Sequence, residues 1–263
     1  MASSPANGAR PALVFEYAGR FGHFLRAEAS VSALSYPMPP RTALLGMIGA
    51  VLGMEKDMPQ VELDDAWIAV SGPIPETHWH RVKLRKDPPA ALPRRVKSGA
   101  AGQKNPKPEQ ATLIKQEWLF KPRYTVTACL PEKHHAEFAS RIREKRWYYS
   151  PCMGLSEMAA QLELVDEGTA AALQAGSEIS CASVARRDGI VLDGRRTLEA
   201  SENGELLAIL PQRMPREVTE DRVFTHADYL IERSGLPIPL LRAENAYEIR
   251  TEDPVATKTV IFL

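Results

Sequence analysis

The sequence predicts an α+β fold of ferredoxin-like (RRM-like) type, with a basic hairpin in its middle and a small β-rich region at its end. Three observations lead there. Residues 12–165 run strand, helix, strand, hairpin excursion, strand, helix, strand, the β-α-β-β-α-β order shared by many RNA-binding domains. Residues 81–107 hold nine Lys/Arg against Asp87 alone. Residues 176–263 break into short β-like pieces separated by Gly and Pro. The expected organisation is a ferredoxin-like RNA-binding domain over 9–175, with an insertion over about 81–116, and a small β-rich region over 176–263.

The elements follow in order. "ALVFEY" (12–17) sets Leu13, Phe15 and Tyr17 on one face, a strand with period two. Ala43 to Leu52 reads as a helix. "AWIAVSG" (66–72) is apolar on both faces and suits a strand covered on both sides. "HWHRVKLRK" (78–86) alternates and runs into 87–110, where five prolines, two glycines and few large apolar residues predict an excursion that buries nothing, the tip of a long hairpin. "RYTVTACL" (123–130) is a strand with Tyr124, Val126, Ala128 and Leu130 on its apolar side. "PEKHHAEFASRIREKR" (131–146) is a helix started by Pro131, with Phe138, Ala139 and Ile142 as a narrow apolar stripe and His134–His135 facing solvent. "QLELV" (161–165) alternates again, and "EISCASVARR", "LLAILP", "VFTHADYLI" and "KTVIFL" supply the β pieces of the tail.

Composition narrows the function. The chain has 263 residues, 44% hydrophobic and 25% charged, ordinary for a globular protein. Its longest apolar run, Ala43 to Gly53, is short of the ~20 residues that cross a bilayer, and "MASSPANGARP" is no signal segment, so no membrane association is expected. Cys129, Cys152 and Cys181 are widely spaced, which suits a reducing cytoplasm rather than a disulfide framework. Net charge is zero, but residues 81–107 carry +8, so the remainder carries −8. The molecule is polarised, with its cations gathered where a polyanion would bind.

"YPMPPRTALLGMIGAVLG" (36–53) joins prolines directly to a helix. Pro39 or Pro40 can open that helix without losing a needed N–H, and its first turn then presents free N–H groups to an anion beside Arg41 and Thr42. Gly46, Gly49 and Gly53 share a face, which predicts a close approach by a strand or a ligand backbone, or a helix packed tightly on the sheet. No Walker P-loop is present.

These residues resemble the Cas-five family, a subunit of type I CRISPR Cascade complexes. The opening motif (36–53), a basic proline-rich insertion at the place of the family's thumb hairpin, "QEWLFKPRYTVTACL" (116–130) and "RWYYSPCMGLSEMAAQLELV" (146–165) follow in the family's order. The likeness covers roughly 12–165, and its wording is closest to type I-B. It departs from the family's Y-x-P-Y-L-G loop, where Cys152 or Met153 replaces an aromatic. The resemblance implies a RAMP-type ferredoxin-like domain with a basic thumb and a non-catalytic role. Such a subunit grips the 5′ handle of the guide RNA (crRNA), caps the backbone subunits, contacts the large subunit and meets target DNA only indirectly.

Residues that could hold RNA are Pro40, Arg41 and Thr42 at the helix start, and Arg81, Lys83, Arg85, Arg94, Arg95 and Lys97 in the thumb, which lacks aromatics over 81–107 and so suits phosphates. Arg20, His23 and Arg26 in "GRFGHFLR" and Arg146, Tyr148 and Tyr149 in "RWYY" could contact or stack on RNA, although Trp147 and one tyrosine equally suit a core. His78 and His80 share a strand face without an evident third ligand, so no metal or other cofactor is expected. Two other readings stay open. A metal-independent endoribonuclease could use His23, Tyr148 or Tyr149 and a thumb lysine to cut repeat RNA through its own 2′-OH. An unrelated RNA- or protein-binding ferredoxin-like domain is the third.

Overall fold

Leu13, Phe15 and Tyr17 alternate along β1 (Arg10–Gly19), and all three are buried. The computed structural model describes residues 8–26, 32–85, 111–173, 178–202, 204, 206–219, 221–251 and 257–263. Four two-residue strands follow β1: β2 (Phe21–Gly22), β3 (Phe24–Leu25), β4 (Ser32–Ala33) and β5 (Ser35–Tyr36). Then come α1 (Arg41–Leu52), the short α2 (Met58–Glu62) and β6 (Trp67–Ser71). The long strands β7 (Glu76–Arg85) and β8 (Ala111–Phe120) precede β9 (Arg123–Cys129), α3 (Glu132–Arg143) and β10 (Ala160–Ala172). The last part holds β11 (Ile179–Cys181), β12 (Ala185–Arg186), β13 (Ile190–Leu192) and α4 (Gly194–Glu202). It ends in β14 (Ile209–Val218), β15 (Phe224–Glu232), β16 (Ile238–Ala243), β17 (Ala246–Thr251) and β18 (Lys258–Ile261).

The fold is mixed α+β and strand-rich, with four helices among the described residues. Its main sheet has nine strands in the order β13-β16-β11-β18-β17-β10-β1-β9-β6. Within it, β1 pairs antiparallel with β9 on one side and β10 on the other, and β6 closes the edge on β9. Side chains alternate across the pleat. Leu13 and Phe15 therefore meet Leu44, Ile48, Phe138 and Ile142 in the main core, while Ala12, Ala69, Cys129 and Tyr247 gather on the opposite face. The stripe expected on α3 is what it buries, and the Phe15 and Phe138 rings meet edge to face at 5.5 Å. β6 is covered on both faces, with Ile68 and Val70 in the main core and Ala69 in the other cluster.

The tail is woven into this sheet. β17 pairs with β10 from Gly168↔Thr251 to Ala172↔Tyr247, so the sheet runs through the boundary expected at 175/176. A second sheet, β12-β15-β14, turns Met214, Tyr229 and Ile231 into the main core. β7 and β8 pair antiparallel from Glu76↔Phe120 to Arg85↔Ala111, forming an arm whose connection, 86–110, lies outside the described residues. The histidines expected in solvent on α3 are half-buried instead. His134 Nε2 lies 3.1 Å from Glu62 Oε2, and burial lowers the pKa of His135. Among the described residues, no helix is long and apolar enough to cross a membrane.

Candidate nucleic-acid interface

α1 starts where the prolines end. Pro40 is its N-cap, and the Pro40 carbonyl accepts from the N–H of Ala43 (3.0 Å) and of Leu44 (3.1 Å), with no side chain capping the turn. The positive end of the helix is thus left to whatever fills the space beside it. That space is a groove of about 620 Å³, lined by His23, Pro40, Thr42 and Gly46, by Pro59 and Gln60 of α2, and by Pro215, Val218 and Phe224 of the β14–β15 hairpin. The Arg222–Asp57 ion pair (2.7 Å) joins that hairpin to α2.

The three helix glycines have different surroundings. A Cβ on Gly49 would run into the Pro59 ring, and Gly53 has φ +82° with the Tyr148 ring against it. A Cβ on Gly46 would meet nothing within 4 Å among the described residues, and Gly46 opens onto the groove. A close approach therefore occurs at two of them, made by a proline ring of α2 and a tyrosine ring rather than by the strand, sheet or ligand backbone expected from the spacing.

Arg41 is placed otherwise than expected. It is 5% exposed, and its guanidinium donates inward to the carbonyls of Asp64 (2.6 Å), Ala66 (3.3 Å) and Arg216 (3.5 Å). A buried cation needs acceptors, and these carbonyls supply them, while burial lowers its pKa. It fastens the helix start to two neighbouring segments rather than presenting charge to the groove.

His23 is 1% exposed. Its Nδ1 donates to the Glu117 carbonyl at 2.7 Å, which leaves Nε2 as a lone pair, buried and without a partner among the described residues. Burial lowers its pKa against the opposing pull of the Glu117 carbonyl. Arg26 donates to the Ser35 carbonyl and to Gln212 Oε1, both at 3.0 Å. Arg20 is exposed, its guanidinium 5.5 Å from the Phe21 ring.

Tyr148 and Tyr149 stand at the other end of α1, donating their N–H groups to the carbonyls of Val51 (3.1 Å) and Ala50 (3.0 Å). Their rings are 63% and 54% exposed and meet edge to face, while Trp147 packs against the core. Twelve helical residues separate these tyrosines from the groove end by about 18 Å. Arg146 is exposed and paired with Glu144 at 2.6 Å.

On the arm, Arg81 and Lys83 are exposed, with Lys115 directly opposite Arg81 and Trp79 two residues before it on the same face. Arg85 lies in β7, and Arg94, Arg95 and Lys97 lie outside the described residues. The other face carries a ladder that sequence reasoning missed. His80 stacks on Trp118 (4.2 Å), His78 meets Phe120 edge-on (5.0 Å), and Phe21 of β2 bridges Trp118 and Phe120 (5.3 and 5.9 Å). Lys121 Nζ sits 5.1 Å from the Phe120 ring centre. The signal was the alternation in "HWH" (78–80) and "WLF" (118–120), which only strand pairing brings onto one face.

Comparison with known proteins gives one family. Residues 12–227 match the family model described as CRISPR-associated protein (Cas_Cas5). No curated protein matches the chain. Among solved structures, a chain of a "CRISPR RNA-guided surveillance complex" shares 13% identity at a TM-score of 0.50, covering 87% of this chain and 91% of its own. A CRISPR protein from Archaeoglobus fulgidus shares 14% at a TM-score of 0.51, covering 96% and 99%. At such identities the likeness is one of fold.

Proposed function

The chain belongs to the family of CRISPR-associated proteins described as Cas_Cas5, and from that premise we propose that it is a non-catalytic subunit of a type I Cascade complex that binds and caps the 5′ handle of the crRNA. In that role it anchors the backbone and large subunits and meets target DNA only through the complex. Four strands of the main sheet, in the order β10-β1-β9-β6 with α1 and α3 packed in the same core, support reading them as a ferredoxin-like domain. The β7–β8 arm is then its thumb. The fold shared with a chain of an RNA-guided surveillance complex supports the setting.

The observation that carries the RNA reading is the face of the arm where Trp79 leads into the cations Arg81, Lys83 and Lys115. Cations interleaved with an exposed ring suit a single strand, phosphates on the charges and a base on the indole. The groove beside Thr42 and Gly46 offers a second stretch of the path. Although His23 borders the groove, its Nε2 is buried and its Nδ1 is taken by the Glu117 carbonyl, which supports the non-catalytic role because a general acid or base must reach the scissile phosphate.

A titration of handle RNA against salt tests this. Affinity should fall steeply as salt rises, with a slope of about −0.7 for each phosphate neutralised on a single strand. An affinity that hardly changes with salt would refute the electrostatic contact. Incubation with repeat RNA and EDTA tests the other half: no discrete product is expected, and a cut lost on His23→Ala would make the protein a ribonuclease.

A further inference from the structure

Four buried polar atoms that find no partner among the described residues lie on one small sheet: Arg186 Nε on β12, Arg216 Nε on β14, and His226 Nε2 and Tyr229 Oη on β15. Buried polar groups are nearly always satisfied, so such a gathering asks for a cause. Register brings Arg186 and Tyr229 together, while His226, three residues from Tyr229 on β15, projects from the other face and stands apart. Arg186 lies directly opposite Tyr229, and Gln212 faces Tyr229 from the other side. Cross-strand partners project from one face, here the face that turns Met214, Tyr229 and Ile231 into the main core. Arg216 enters from the bulge between Pro215 and Glu217, with Arg41 held on its carbonyl.

Three of the four atoms are donors: two guanidinium N–H groups and a phenol. Tyr229 is 1% exposed, and burial pushes its hydroxyl up to about 12 although Arg216, Arg186 and Arg41 draw it down, so at neutral pH it keeps its proton. Among the described residues, the Nε–H groups of Arg186 and Arg216 are left without an acceptor. The nearby carboxylates do not supply one. Glu217 engages Arg216 through Nη1 (2.6 Å), leaving Nε idle, and Asp188 stands 4.0 Å from Arg186 Nε, beyond hydrogen-bond reach. The arginine side chains are 25% and 21% exposed, so a group arriving from solvent can draw both guanidinium edges outward.

We propose that Arg186, Arg216 and Tyr229 form a binding site for one phosphate group. Phosphate offers several acceptor oxygens at once and matches the planar fork of arginine, which suits two guanidinium groups that both act electrostatically on one phenol donor. Pro215 and Val218, before and after Arg216 on β14, line the groove beside α1, so a strand lying in that groove would run along β14 next to Arg216. Only this choice of source rests on the RNA reading; a free phosphate or a nucleotide would satisfy the same donors.

The test uses the full chain with inorganic phosphate, and chloride at equal ionic strength as the control. Phosphate should raise the melting temperature where chloride does not, and the shift should vanish in Tyr229→Phe and in Arg186→Gln/Arg216→Gln. Tyr229→Phe should melt at the wild-type temperature without phosphate, because the hydroxyl it deletes has no partner, so its loss of response cannot be a loss of fold. No phosphate-specific shift in the wild type, or an undiminished shift in both variants, overturns the site. In a second arm, a short single-stranded RNA should bind Tyr229→Phe about tenfold or more weakly at fixed salt if the strand supplies the phosphate. Unchanged RNA affinity with a lost phosphate shift assigns the site to a free phosphate or nucleotide. A wild type that ignores RNA but answers phosphate refutes the RNA reading and leaves the site standing.

Discussion

Replacing Gly46 with alanine should make the protein more stable and weaken its hold on RNA, a pairing of signs that follows from one face of one helix. Glycine inside a helix costs about 0.8–1.0 kcal/mol relative to alanine, because it surrenders more backbone freedom on folding. At Gly46 nothing among the described residues offsets that gain, since an added Cβ meets none of their atoms within 4 Å. Urea unfolding should therefore show a gain of about 1 kcal/mol with an unchanged m value, or about 2–4 °C in Tm for a chain of this size. Gly49→Ala is the internal control: its Cβ would run into the Pro59 ring, so the sign should reverse, with a loss of about 1–3 kcal/mol. The same Gly46 methyl projects into the groove beside Thr42, so RNA affinity should fall with alanine and further with Gly46→Leu. A destabilised Gly46→Ala would refute the open helix face. Unchanged RNA binding by both variants would take the groove off the RNA's path.

Gly154→Ala should cost about 2–5 kcal/mol in the same assay, adding a left-handed backbone at φ +89° to a collision with the His23 carbonyl oxygen; a loss below about 1 kcal/mol would mean the 151–158 loop is not held against His23. His23 is kept neutral by burial, its pKa lowered from the ordinary 6.5, so the unfolded chain binds more protons in that interval. Its contribution to stability is complete above 6.5 and is lost as pH falls through the lowered folded value, and His23→Gln should flatten that part of the stability–pH curve; an unchanged slope would refute the linkage. Arg81→Ala and Lys83→Ala should each weaken RNA binding and make the salt slope less negative by about 0.7, and a slope that stays put would remove that residue from the phosphate contacts.

The sheet was legible where a local pattern decides which side of an element is buried. Leu13, Phe15 and Tyr17 at period two and Phe138, Ala139 and Ile142 on one helical stripe leave no other arrangement that hides them. The tail was not legible in this way. β17 reaches β10 across some eighty residues, and a six-residue strand carries nothing that names its partner; pairing is settled by the edge β10 leaves open. The arm shows the same division. Its cations stood out in the sequence because charge can be counted. The ladder of His78, His80, Trp118, Phe120 and Phe21 did not, because those rings become neighbours only once β7, β8 and β2 are in register.

The start of α1 is different, because there the signal was present and pointed against the expectation. Arg41, Leu44, Leu45, Ile48 and Val51 follow the three-and-four spacing of a single helical face, and that face is buried. Thr42, Gly46, Gly49 and Gly53 follow the same spacing one residue on, and on that stripe Thr42 and Gly46 line the groove. An arginine placed on the apolar stripe is committed to the interior by its neighbours, whatever its charge, and must find acceptors there; the carbonyls of Asp64, Ala66 and Arg216 provide them. Adjacent residues of one motif are thus parted by about 100° of helical turn, Arg41 inward and Thr42 outward. The open end of the helix and the charge next to it in sequence face different ways, so what reaches the groove from this motif is backbone and hydroxyl. That is a surface able to follow the shape of a strand, with any charge to be supplied from elements other than α1.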